Sequence, residues 1–167
     1  MKRSLVAVLG AVCLTAGVAL TVPALSSGGA DGRKVVSGAV LAPVVGPYVG
    51  SANPIRGVVG GGLPWRLASG SVDLRADGRL HIVVDGLVFA GGPNEGTNTI
   101  PSFRAIVSCQ TIADQAPAVS NVSTEQFSAS PAGDAEIDTK VALPSPCVAP
   151  IVFVTSPAGA WFAATGV

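Results

Sequence analysis

The chain has one histidine, His81, in 167 residues, and that scarcity removes whole classes of chemistry. Sites for zinc and related metals draw on several imidazoles or on clustered thiolates. The three cysteines, Cys13, Cys109 and Cys147, are too scattered to supply such a cluster. No metal and no other cofactor is therefore expected. Charge is scarce as well: Asp, Glu, Lys and Arg make up 12% of the chain, and 10 basic residues balance 10 acidic ones. A neutral chain lacks the basic footprint of a nucleic-acid-binding protein. Nucleophile motifs are missing too, with no Gly-x-Ser-x-Gly elbow anywhere. The glycine cluster Gly57–Gly62 lacks the Lys-Ser/Thr pair of a phosphate loop and reads as a flexible lead-in to the first core strand. Beyond the N-terminal stretch no long amphipathic helical pattern occurs. There are, however, 21 glycines and 13 prolines, the profile of short strands joined by many turns.

The N-terminus is the one long apolar run. Lys2 and Arg3 precede Leu5–Leu20, Pro23 breaks the run, and small residues follow at Ala24, Ser26 and Ala30. This is the layout of a secretory signal peptide, placed over residues 1–26. An uncleaved anchor is the competing reading, because the run approaches spanning length. Cys13 lacks the leucine three residues earlier that a lipobox requires. Cleavage leaves Cys109 and Cys147, which in an exported protein read as a single disulfide with forced connectivity. No membrane span then remains, and a secreted, extracellular monomer is expected.

The clearest folding signal lies in Trp65–Ala90. An Asp-Gly two-residue turn would pair Leu74 with His81 and mix the two faces. A three-residue loop, Ala76-Asp77-Gly78, pairs Leu74 with Leu80 and Val72 with Ile82, keeping one face apolar. The inward parity switches near Gly70 on the first strand and near Gly86 on the second, so paired bulges or a sharp bend are predicted there. Upstream, residues 27–56 are Gly-, Pro- and Ala-rich. Pro43 and Pro47 confine them to an edge strand or a partly flexible segment. Downstream, Phe103, Ala105, Val107 and Cys109 share one strand face, and Ile106 on the other face places that strand centrally. Thr111–Ser120 reads as an irregular polar loop and Asn121–Phe127 as a short strand. Ala135–Leu143 alternates as a half-buried strand. Ala149–Thr155 is nearly all apolar, and Ala160–Thr165 closes the domain. The expectation is an all-β antiparallel sandwich of about seven short strands over residues 57–167, with no significant helix after the signal peptide.

Few constellations carry chemistry. In the chosen register His81 faces Asp73, which as a general base with its carboxylate would define a hydrolase. A surface cross-strand pair is the favoured reading. Asp134, Glu136 and Asp138 alternate along one strand, where Lys140 follows them, and a solvated face outweighs a calcium site. Trp161 and Phe162 are adjacent and point to opposite faces, so one of them is a candidate for exposure. Trp161 is taken as the binding residue. Pro144–Pro150, beside Cys147, is the segment that a secreted protease inhibitor would present, and a carbohydrate-binding module is a further alternative.

As a set, LPWRLASGSVDLRADGRLHIVVDGLV, FRAIVSCQ and PSPCVAPIVFVTSPAGAWFAATG resemble a group of small secreted actinobacterial proteins. The resemblance runs from Leu63 to Gly166, and the Gly/Ala/Val-rich composition fits a high-GC source. It implies export, one disulfide and a compact domain. It brings no activity and no site residues. The functional expectation is a non-catalytic extracellular or cell-envelope-associated module with an unknown partner.

Overall fold

The computed structural model describes residues 32–166, so the signal-peptide reading over residues 1–26 lies outside the described residues. Eleven strands are present among them: β1 (Lys34–Pro43), β2 (Trp65–Arg66), β3 (Ser69–Arg75), β4 (Arg79–Asp85), β5 (Val88–Phe89), β6 (Ser102–Ala113), β7 (Ala116–Ser123), β8 (Phe127–Ser128), β9 (Ala135–Lys140), β10 (Val148–Thr155) and β11 (Trp161–Thr165). A 3₁₀ turn, Gly46–Tyr48, follows β1. The fold is all-β with antiparallel strand pairing.

Parity sets the central hairpin as the sequence predicts. Val72 pairs with Ile82, Leu74 with Leu80, Asp73 with His81 and Gly70 with Val84. Gly78 sits at φ 88°, the left-handed position that the three-residue loop demands. The predicted bend is there too. Strand pairing is interrupted at Leu67-Ala68 and Gly86-Leu87, and β2 and β5 form a separate ribbon with Trp65 opposite Phe89. One hairpin thus contributes to two sheets.

The main sheet runs β7-β6-β10-β11-β1-β3-β4-β9, with β8 paired to β6. It curls, because β9 comes against β8 and β6 at the far end of the path. Both halves turn their inner faces into one core. Val72, Leu74, Leu80, Ile82 and Ile137 come from one side, and Phe103, Ala105, Val107, Val152 and Val154 from the other.

The reading of residues 27–56 as an edge strand or flexible segment is corrected over Lys34–Pro43. There β1 lies between β3 and β11 and links the two halves: Lys34–Val40 pair with β3, and Leu41–Pro43 with β11. The glycine and proline that argued against it have local roles. Gly38 (φ 56°) lies within a register shift of β1, where the strand bulges, and Pro43 ends the strand. The next ladder bond is made by the Val44 N–H to the Phe162 carbonyl at 2.8 Å. A second correction concerns Thr111–Ser120, which is not an irregular loop. β6 and β7 run through it as a hairpin turning on Asp114 and Gln115, both at positive φ (49° and 63°). Residues 121–127 divide between β7 and β8, because Thr124 is buried between them. Its Oγ1 accepts the Ala105 N–H at 3.0 Å.

Residues 44–62 cover the outer face of the β6-β10-β11 half. The Trp161 N–H donates to the Val59 carbonyl at 2.9 Å and the Gly61 N–H to the Trp161 carbonyl at 2.8 Å. Val44 and Val58 are buried with Ile106, Phe153 and Trp161 in a second apolar layer. Ile106 is therefore covered on both sides of its strand, as its apolar neighbourhood implied. The glycine cluster is a packing element here and not a flexible lead-in. A Cβ on Gly60 would fall on the Tyr48 carbonyl oxygen, so only glycine permits that approach.

Candidate functional site

His81 and Asp73 face each other across the β3–β4 ladder, yet each side chain takes a different partner. The Asp73 carboxylate accepts hydrogen bonds from Lys34 Nζ at 2.8 Å and from the Gly38 N–H at 3.1 Å. His81 Nδ1 lies 3.8 Å from Glu136 Oε1 instead, across the next ladder. The Lys34 hydrogen bond, helped by the Gly38 N–H, holds the Asp73 carboxyl below its ordinary range. A carboxyl lowered by folding adds stability above its unfolded-state value. That contribution disappears as pH falls through the lowered folded-state value. Asp73→Asn is therefore expected to lower the melting temperature at neutral pH, with the gap to wild type closing on acidification below about pH 4. Thermal melts from pH 7 to pH 2 test this, and a gap that stays constant would refute it.

The acidic strand face is likewise dispersed. Asp134 turns back to its own loop, where it accepts the Gly86 N–H at 3.0 Å and the Ser130 hydroxyl at 3.1 Å. Glu136 and Asp138 stand opposite Val83 and His81. Among the described residues no three His, Cys, Asp or Glu side chains are placed to hold a metal ion.

Trp161 is corrected as a surface contact. It and Phe162 do point to opposite faces, but both faces are covered, and Trp161 is only 1% exposed. Its ring lies 6.0 Å from Phe153 and 6.3 Å from Tyr48 in the outer layer, while Phe162 stacks on Trp65 at 4.0 Å in the inner one. Among the described residues Tyr48 is the one exposed aromatic residue, at 43%.

Cys109 and Cys147 form the disulfide, joining β6 to the turn before β10. Pro144–Pro150 is not a free loop throughout, because Val148 opens β10 opposite Gln110. Beside this bridge the structure assembles the candidate site. The β6–β7 hairpin extends beyond the cover formed by residues 44–62. Between it and the Pro146–Val148 segment lies an open groove of about 520 Å³. Its wall carries three large apolar side chains turned to solvent: Ile112 (61% exposed), Val148 (53%) and Val119 (48%). Gln110, Thr111, Pro117, Ala118 and Pro146 complete it, and no ionisable side chain lines it. One bank is β7, an uncharged strand at the edge of the sheet. Sequence reading missed this groove because it read Thr111–Ser120 as a loop. The available signal was the i, i+2 spacing of Pro117 and Val119 on one face, with Val122 on the other, once a turn at Asp114-Gln115 is allowed.

Fold and site together define a disulfide-bonded, all-β protein with a curled antiparallel sheet and an apolar groove at one edge. No helix among the described residues is long and apolar enough to cross a membrane. Comparison with protein-family models, with curated proteins and with solved structures gives no match for this chain.

Proposed function

We propose that this is an exported, non-catalytic module of the extracellular space or cell envelope, in keeping with the secreted actinobacterial proteins that its motifs resemble. The proposal has it bind an extended, apolar segment of a partner protein along β7. One observation carries the reading: the groove beside the disulfide is apolar and holds no acid, base or metal ligand. Such a surface offers shape and apolar area without chemistry. An edge strand adds a backbone ladder for a peptide in the same conformation, with alternate side chains reaching the groove. β7 carries no charge, and its one proline, Pro117, stands beside the hairpin turn, so Ala118–Ser123 present an edge without the usual devices that discourage such pairing.

The test is selection of displayed random linear peptides on the purified protein. Enrichment of β-branched, apolar sequences that Val119→Lys abolishes is the expected result. Absence of enrichment, or enrichment indifferent to Val119→Lys, removes the reading. Export is checked on the same preparation, by a mature mass lacking the leader and by two cysteines that resist alkylation until reduced.

A further inference from the structure

The opposite half of the sheet carries a charge pattern that the groove does not use. On its outer face Lys34 of β1 stands opposite Arg75 of β3, and Arg79 of β4 stands opposite Lys140 of β9. Arg75 and Arg79 flank the Ala76-Asp77-Gly78 turn, so the four cations form one row across four adjacent strands. At the strand spacing of sheets the row is about 14 Å long. Arg33 adjoins it, since the Ala76 N–H donates to the Arg33 carbonyl at 2.8 Å. Half of the chain's 10 basic residues thus gather on one rim of a protein with no net charge.

Like charges directly opposite each other weaken a ladder, so folding alone gives no reason for such a row. Carboxylates offset part of it: Asp73 pairs with Lys34 at 2.8 Å and Asp77 with Arg79 at 3.2 Å, while Asp138 stands beside His81. Among the described residues Arg75 and Lys140 have no carboxylate within ion-pairing distance. Along the row a cavity of about 330 Å³ is lined by Lys34, Arg75, Arg79 and His81 together with Asp73, Asp138 and Leu80.

We propose that this rim binds a linear, phosphate-bearing polyanion laid across the strands. Extent argues for a polymer: a single phosphate would meet at most two of the four cations, and one exposed ion pair contributes little. Arg75 and Arg79 supply guanidinium forks, which match phosphate oxygens in pairs. Apart from His81, no ring stands in the row or its cavity for a base to stack on, which favours a polymer recognised by backbone charge over a nucleic acid. The binding is independent of the apolar groove.

Inorganic polyphosphate is the probe, titrated into the purified protein at 50 and 200 mM salt. With four cations engaged, affinity is expected to fall roughly 50-fold over that range. Arg75→Glu with Arg79→Glu is expected to weaken binding about tenfold or more at 50 mM salt, and Lys140→Glu alone about threefold. Arg66→Glu, on β2 away from the row, leaves it unchanged, and thermal melts confirm that each variant folds. No polyphosphate binding at 50 mM salt overturns the proposal. So does equal weakening by Arg66→Glu, or tighter binding of a deoxythymidine oligomer, which would make the surface a nucleic-acid site.

Discussion

Trp65→Ala is expected to cost about 3–5 kcal/mol of folding stability, the range for removing a buried aromatic side chain. Trp65 is the hub of the inner layer. Its ring stacks on Phe162 at 4.0 Å, lies 4.4 Å from Phe89 and meets Phe103 edge-on at 6.4 Å. These three partners belong to β11, β5 and β6, so one side chain joins the ribbon to the main sheet. Collapse around the void is restricted, because Phe103 and Phe162 are themselves fixed in paired strands and Gly61 packs its backbone against the indole. Restricted collapse places the cost toward the upper end of the range. Against a typical domain stability of about 5–15 kcal/mol, a loss of this size leaves a marginal fold. Guanidinium unfolding of the wild type and of Trp65→Ala gives the difference directly. A loss under about 1 kcal/mol would show that the ribbon contributes little to the cooperative unit.

How far the sequence disclosed this architecture depends on where the controlling interaction lies. The β3–β4 register was legible because its determinants are local: apolar parity on two strands and a three-residue turn containing Gly78. The break near Gly70 and Gly86 was legible for the same reason. The β6–β7 hairpin was not. Asp114 is a turn former, but Gln115 after it takes positive φ where glycine or asparagine is usual, so the pair announces the turn only weakly. The central place of β1 was missed because Gly38 and Pro43 are ordinary strand breakers that allow an edge strand at most, and only the sheet's demand for a bulge and a strand end gives them another meaning. Trp161 shows the limit of parity. Alternation told correctly that Trp161 and Phe162 face opposite ways, but it could not tell that residues 44–62, a hundred positions away, cover the outer face. The candidate groove fell in the misread stretch, whereas the cationic row follows from the hairpin register once β1 and β9 are added at its sides.

Removing the disulfide with Cys109→Ser and Cys147→Ser is expected to cost about 4 kcal/mol, since the bridge spans 38 residues and restricts the unfolded chain over that whole loop. The loop contains β7, β8 and β9, so in the unfolded chain the bridge holds together segments from both ends of the curled sheet. Two measurements separate this entropic effect from lost contacts. The denaturant midpoint should fall in the bridgeless variant, and the slope of unfolding should rise, because an unbridged unfolded chain exposes more surface. A fall in midpoint with an unchanged slope would assign the stabilisation to the folded state. The groove gives a third reading. Cys109 adjoins Gln110 and Cys147 adjoins Val148, so the bridge fixes the two banks relative to each other. The bridgeless variant is therefore expected to lose peptide capture even at temperatures where it remains folded. Retained capture would mean that the β6–β10 ladder alone sets the groove, and the disulfide would then be a stabiliser of the fold without a part in the site.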